Sequence, residues 1–304
     1  MNKPVSVWSD HRATLGEGII WDGRRDRLFW VDIKEARLFE TLPHEPGAQE
    51  WTIVGDVGGS IGCIAVDPNS DGFLAATGRG IVRLRCDDLA RTAKLEVLAA
   101  APETEWPGNR FNDGAIDPLG GFWAGNMDNK EERVSGAWWR WDGHDLLQMA
   151  NGFKVTNGPV FIPLRDRTFK VFLTDSAAAA IYVGKFTPQK GLRELEVWAR
   201  FDPREGYPDG MCLDHHGRMW ISFWDGAAIR AYDPLQRKCG NAVAEVRLPV
   251  RRPTKLAFTP EGSCFVTSAA VGLAGKTNDN LIDGALIKIS NLHPAFRTGP
   301  AQDN

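Results

Sequence analysis

The sequence predicts an all-β protein, a six-bladed β-propeller with a central channel, and three observations predict it. Gly and Pro are frequent, 32 and 18 among 304 residues. Apolar stretches with a 3.6-residue period are scarce, whereas short alternating runs bounded by turn residues occur throughout. A strand–turn–strand unit recurs six times along the chain, with no linker or low-complexity segment between its copies. Six such units use up the length, so residues 1–304 read as one domain rather than the two that length alone allows. A pair of β-sandwiches is the weaker alternative, because sandwiches do not require six evenly phased units.

The copies, in order, are IIWDGRRDRLFWVDI, CIAVDPNSDGFLAAT, GAIDPLGGFWAGN, PVFIPLRDRTFKVFLTDS, MCLDHHGRMWISF and LAFTPEGSCFVTS. Each is an apolar strand, a turn usually carrying Asp, Pro or Gly, and a second apolar strand. The residues that open the turns are Asp22, Asp67, Asp117, Ile162, Asp214 and Thr259, spaced by 45, 50, 45, 52 and 45 residues. A strand-only repeat of about 40–50 residues fits propeller blades of four strands each.

Five residues before each turn-opening residue stand Glu17, Gly62, Asn112, Asn157, Asp209 and Thr254. If these begin the innermost strand of each blade, their side chains converge on one mouth of the channel. Asn-Asp-Gly, Asn-Gly and Asp-Gly are turn sequences, and each alone reads as a turn. Their variety at one repeat phase argues otherwise, since a shared structural turn would repeat one solution. Glu17, Asn157 and Asp209 are three oxygen donors with a formal charge of −2. That set suits a hard divalent cation such as Ca²⁺, Mg²⁺ or Mn²⁺ and does not exclude Zn²⁺. Three protein ligands leave positions open for water and substrate.

The bulk properties narrow the function classes. A net charge of −3 gives no reason to expect nucleic acid or an anionic membrane as partner. No segment has transmembrane length, and the N-terminal stretch lacks an apolar signal region. Five widely spaced cysteines without a C-x-x-C read as reduced thiols in a cytoplasmic protein. The serine-hydrolase elbow and the H-E-x-x-H motif are absent, and GRGIVRL lacks Rossmann or P-loop spacing. His215 and His216 read as a solvated turn. Trp106 and Trp224 could face a ligand, although packing between blades is the simpler use for each.

Several motifs carry a family resemblance: LGEGIIWD, NRFNDGAIDPLGGFWAGNM, VTNGP, YPDGMCLD, VTSA and GALIKI. In that combination the chain resembles the regucalcin–gluconolactonase family of sugar lactonases. The resemblance implies one divalent cation (calcium, zinc, magnesium, manganese or iron) held by Glu17, Asn157 and Asp209. It also implies Asp209 as general base, Arg110 and Asn112 as substrate-contacting residues, and a small sugar lactone as substrate. An acidic substrate-pocket residue is expected after the AG-x-M pattern. Gap-free alignment puts Lys130 there, and a gap would bring Asp128 or Glu131 instead. With Lys130 or Arg133 at the mouth, a lactone bearing an additional anionic group is the expected substrate. The competing readings are a non-enzymatic metal-binding propeller and a hydrolase of other esters or phosphotriesters. The sequence does not choose the lactone, the metal or the oligomeric state.

Overall fold

The computed structural model describes residues 5–102, 108–273, 282–290 and 292. The chain is all-β apart from one short 3-10 turn, with 24 strands among the described residues. The first four-strand unit is β2 (Gly16–Asp22), β3 (Arg27–Asp32), β4 (Arg37–Thr41) and β5 (Gln49–Val54). The second is β6 (Ile61–Val66), β7 (Phe73–Thr77), β8 (Gly80–Asp87) and β9 (Thr92–Ala100). The third runs from β10 (Asn109–Ile116) through β11 (Phe122–Asp128) and β12 (Gly136–Trp141) to β13 (Leu146–Phe153). The fourth comprises β14 (Thr156–Pro163), β15 (Phe169–Asp175), β16 (Ala180–Thr187) and β17 (Gly191–Arg200). The fifth comprises β18 (Tyr207–Leu213), β19 (Met219–Trp224), β20 (Ala228–Tyr232) and β21 (Ala244–Arg247). The last joins β22 (Pro253–Phe258), β23 (Cys264–Ser268) and β24 (Leu286–Ile289) to the N-terminal strand β1 (Val5–Ser9).

The arrangement is propeller-like. The first strands β2, β6, β10, β14, β18 and β22 pack in cyclic order, with β22 returning to β2. Burial falls from this ring outward: β6 is buried along nearly its whole length, whereas β9 and β13 alternate between half-buried and exposed. One feature differs from separate sheets. The first two units are joined into one eight-stranded sheet by parallel pairing of their outer strands, Thr52 with Thr92 through Val54 with Lys94.

Large side chains fill the space between sheets. Trp123 meets Phe186 edge-on at 5.3 Å, and Trp198 meets Tyr232 at 6.4 Å. The turn-opening aspartates hold the β-turns they begin. Asp117 accepts from the Leu119 and Gly121 amides, from Trp123 Nε1 at 2.9 Å and from Arg140 Nε at 2.6 Å. Asp214 repeats this with the His216 and Arg218 amides, Trp220 Nε1 and Arg218 Nε. These carboxylates are buried and fully used, so they are structural. Exposed His215 and His216 sit in the same turn, at the end of the strands away from the cavity described below. All five cysteines are free thiols. Among the described residues no helix is long and apolar enough to cross a membrane.

The ring is completed by β1, which pairs antiparallel with β24 from Val5–Ile289 to Ser9–Leu286. Its anchor is Trp8, buried edge-on against Phe265 at 5.5 Å, with Nε1 donating to Thr41 Oγ1 at 3.1 Å and to the Leu42 carbonyl at 3.0 Å. One side chain thus ties the last unit to the first. Trp8→Ala is expected to lower unfolding stability in urea by about 3–5 kcal/mol, and Trp8→Phe by about 1–2 kcal/mol, because Phe keeps the apolar contact and loses the hydrogen bonds.

Candidate functional site

The first strands share a departure from regular pairing. Each has a register shift beside its ring position: after Glu17 in β2, at Gly62 in β6, within Asn112–Asp113 in β10, after Asn157 in β14, and at Asp209–Gly210 and Thr254–Lys255 in β18 and β22. A bulge sets two residues against one and re-aims their side chains. Six bulges at one phase therefore turn the same end of every first strand toward the axis.

Four of the six ring residues, Glu17, Asn112, Asn157 and Asp209, line a single cavity of about 530 Å³. The other two are structural. A side chain on Gly62 would meet the Phe111 backbone at 2.5 Å, so glycine permits β6 and β10 to approach. Thr254 Oγ1 donates to the Gly16 carbonyl at 2.6 Å and locks β22 to β2.

A directed chain of hydrogen bonds crosses three units at the cavity floor. Arg110 Nη1 donates to Asn112 Oδ1 at 2.5 Å, and Asn112 Nδ2 donates to Asn157 Oδ1 at 2.9 Å. Asn157 Nδ2 then donates to Ser176 Oγ at 2.9 Å, and Ser176 Oγ to the Pro208 carbonyl at 2.6 Å, beside Asp209. The chain fixes both amide orientations and leaves Asn157 Oδ1 one further lone pair. Sequence reasoning missed Ser176, which follows the Asp175 that ends β15.

Asp209 differs from the turn-opening aspartates. It is 4% exposed, and among the described residues its Oδ1 has no hydrogen-bond partner. Burial, and then the neighbouring Glu17 and Asp113 carboxylates, push its carboxyl well above the usual range. Glu17 is 2% exposed and raised by the same causes, burial first and Asp113 next. Two buried carboxyls that repel each other, one with an orphaned oxygen, and an amide oxygen with a spare lone pair suit a divalent cation. Among the described residues no group of three His, Cys, Asp or Glu side chains forms a metal cluster, so the donor set here depends on the Asn157 amide.

Below these residues Lys255 Nζ reaches across the ring from β22 to Asp113 Oδ1 on β10, and donates to the Gly114 carbonyl at 3.1 Å. Asp113 also accepts from the Gly114 and Gly158 amides, at 2.7 and 3.0 Å. This buried pair closes the channel beneath the cavity and commits Lys255, leaving it with no ion pair to Glu17 or Asp209. Removing one partner of a buried pair strands the other charge. Lys255→Met should therefore cost about 3–5 kcal/mol in urea unfolding, and adding Asp113→Asn should recover most of that loss.

Loops complete the walls. Asp32, ending β3, accepts from the Thr14, Leu15 and Lys34 amides and holds the turn that carries Lys34 to the cavity. Asp128, ending β11, accepts from the Glu132 and Arg133 amides at 3.1 and 3.2 Å. Within that turn Glu131 adopts a left-handed φ of 59° and lines the cavity. Lys130 remains exposed and is not part of the lining, contrary to the gap-free expectation, and Arg133 pairs with Asp128 at 2.9 Å. Trp224 faces the cavity with the Arg252 guanidinium 4.7 Å from its ring centre. Trp106 lies outside the described residues. Of the wall residues, Lys34 and Glu131 carried a signal that repeat phasing alone could have found, because each follows an aspartate that ends a second strand.

A buried carboxylate with an orphaned oxygen weakens the cation-free protein. Asp209→Asn is expected to raise its stability in urea by about 1–3 kcal/mol. A divalent cation should raise the Tm of the unsubstituted protein and leave that of this variant unchanged. Calorimetric scans with and without chelator check both.

Compared with known proteins, residues 15–270 match the SMP-30/Gluconolactonase/LRE-like region family. The chain belongs to this family. It is 29% identical to an L-arabinolactonase of Azospirillum brasilense, over 89% of this chain and 86% of that one. It is 30% identical to a 6-deoxy-6-sulfogluconolactonase of Pseudomonas putida, over 88% of each. Among solved structures it superposes on a calcium-binding regucalcin of Agrobacterium tumefaciens with a TM-score of 0.78, 24% identity, and coverage of 93% and 92%.

Proposed function

We propose that this protein is a sugar lactonase: a single six-bladed β-propeller domain that opens a sugar lactone to its aldonic acid with one divalent cation in the channel. The observation that carries the reading is the buried, unpartnered Asp209 carboxylate oxygen, in one cavity with Glu17, Asn157, Arg110 and Asn112. Relatives named as lactonases across nearly the whole length support the reaction class.

Glu17, Asn157 and Asp209 would hold the cation, with their three oxygens on three different first strands. When bound, the cation would polarise the lactone carbonyl and lower the pKa of a water. Asp209 takes a proton from the water as its oxygen adds to the carbonyl carbon. It returns that proton to the ring oxygen when the C–O bond breaks, so acid and base are one group. Arg110 supplies orientation and charge. Its Nε and Nη1 donors are used by Asn129, Phe111 and Asn112, and among the described residues Nη2 has no hydrogen-bond partner. Two N–H groups on a buried guanidinium are therefore available to orient substrate oxygens. Asn112, with both ends of its amide engaged, positions Arg110 and Asn157 and presents a polar wall to the sugar.

The test is hydrolysis of a panel of sugar lactones by chelator-stripped protein with each divalent metal restored in turn, spontaneous opening subtracted. The expected result is metal-dependent turnover that falls by about 10²–10⁴-fold in Asp209→Ala, the usual worth of a positioned acid–base group. If a cation binds and no lactone opens, the channel is an ion-binding site and the enzyme reading is wrong.

A further inference from the structure

Two cations in the cavity wall meet on one neutral atom. Lys34 Nζ, from the turn after β3, and Arg110 Nε, from β10, each donate to Asn129 Oδ1 at 3.1 Å. Neither forms an ion pair among the described residues. Like charges brought this close repel, and the Lys34 ammonium is held below its usual range by burial first and by Arg110 second. One amide oxygen is a weak counterpart for two positive groups, since hydrogen bonds to a charged acceptor are roughly twice as strong. Lys154, on the same wall, has no side-chain hydrogen bond among the described residues.

The remaining charges do not neutralise this cluster. Arg252 is already bound by Asp225, at 2.8 and 3.3 Å. Glu17 and Asp209 lie at the floor, where the proposed cation balances them. Glu131 faces the cavity and attracts both Lys34 and Arg110, but from beyond ion-pair distance. With the floor neutral, Lys34, Arg110 and Lys154 face one carboxylate, a surplus of two positive charges.

We infer that the wall formed by Lys34, Arg110 and Asn129 is an anion subsite, and that the preferred substrate is a sugar lactone carrying an anionic group on the carbon chain away from its carbonyl. This deepens the lactonase reading and rests on it. The chemistry expected of an anionic substrate from Lys130 and Arg133 thus falls to Lys34, a residue of another unit. The anion is a terminal carboxylate or phosphate. It would accept from the ammonium and the guanidinium together, replacing their shared amide oxygen while the lactone carbonyl reaches Asp209.

The experiment compares kcat/KM for three lactones of one ring: neutral, with a terminal carboxylate, and with a terminal phosphate. Wild type, Lys34→Gln and Lys34→Glu are measured at low salt, where screening is weakest. Lys34 lies in an exposed turn, so both variants should fold. The anionic-to-neutral ratio should exceed about tenfold in wild type, fall about tenfold in Lys34→Gln and fall further in Lys34→Glu. The anion giving the larger ratio names the source. Titration calorimetry of cation-loaded protein with the open-chain monoacid and diacid gives a readout independent of turnover. The diacid should bind about tenfold more tightly, and Lys34→Gln should erase the difference. Equal ratios in all three proteins, or equal binding of the two acids, would overturn the subsite. If no lactone opens while the diacid still binds through Lys34, the lactonase reading fails and the subsite stands.

Discussion

Two carboxyls buried together, without a cationic side chain in ion-pair contact among the described residues, are the constraint around which this structure is arranged. Burying an unpaired charge is among the most expensive things a fold can do. Glu17 and Asp209 nevertheless sit 2% and 4% exposed at the cavity floor. The cations nearby are placed so as not to resolve the conflict: Lys255 is bound to Asp113, and Arg110 is held by amide and carbonyl oxygens. The fold thereby leaves two mutually repelling carboxyls without a counter-charge, which is what a small cation from outside would supply. The hydrogen-bond chain from Arg110 to Pro208 holds the remaining donors still while it waits.

The repeat that builds the fold also supplies its own control. Every unit has one end where a first strand turns into a second and another where the first strand begins. At the turning end, Asp22, Asp67, Asp117 and Asp214 each bind an arginine and backbone amides, and four near-copies of one solution appear. At the beginning end the residues differ from unit to unit, and a carboxylate oxygen is left without a partner. Uniformity marks the structural end and variation the chemical one. The bulges unite the two, since a register shift at one phase of every first strand presents Glu17, Asn112, Asn157 and Asp209 to one cavity and leaves Gly62 and Thr254 to packing.

Much of this was legible in the sequence because it follows from periodicity. Strand order, the turn-opening aspartates and the convergence of Glu17, Asn112, Asn157 and Asp209 all come from a fixed phase. What was not legible depends on loops and on contacts between units. Ser176 reaches the cavity through a turn held by Asp175, and Lys34 and Glu131 through the like turns after Asp32 and Asp128, where the repeat marks the turn but not which side chain faces inward. One residue of offset within such a turn, from Lys130 to Glu131, reverses the sign of the charge that faces the cavity. The parallel join of the first two units at β5 and β9 was equally hidden, because edge pairing leaves no mark on the alternation of either strand. Gly62 and Thr254 share the phase of the site residues and serve packing, so phase alone overstates the site.

The claim on which all else rests is that one cation seats on three oxygens from three strands. Anomalous scattering from crystals of chelator-stripped protein soaked in manganese measures this directly. The account predicts a single strong peak in the channel, bonded to Glu17, Asn157 and Asp209. A channel without a peak, or a peak held by other residues, would contradict it.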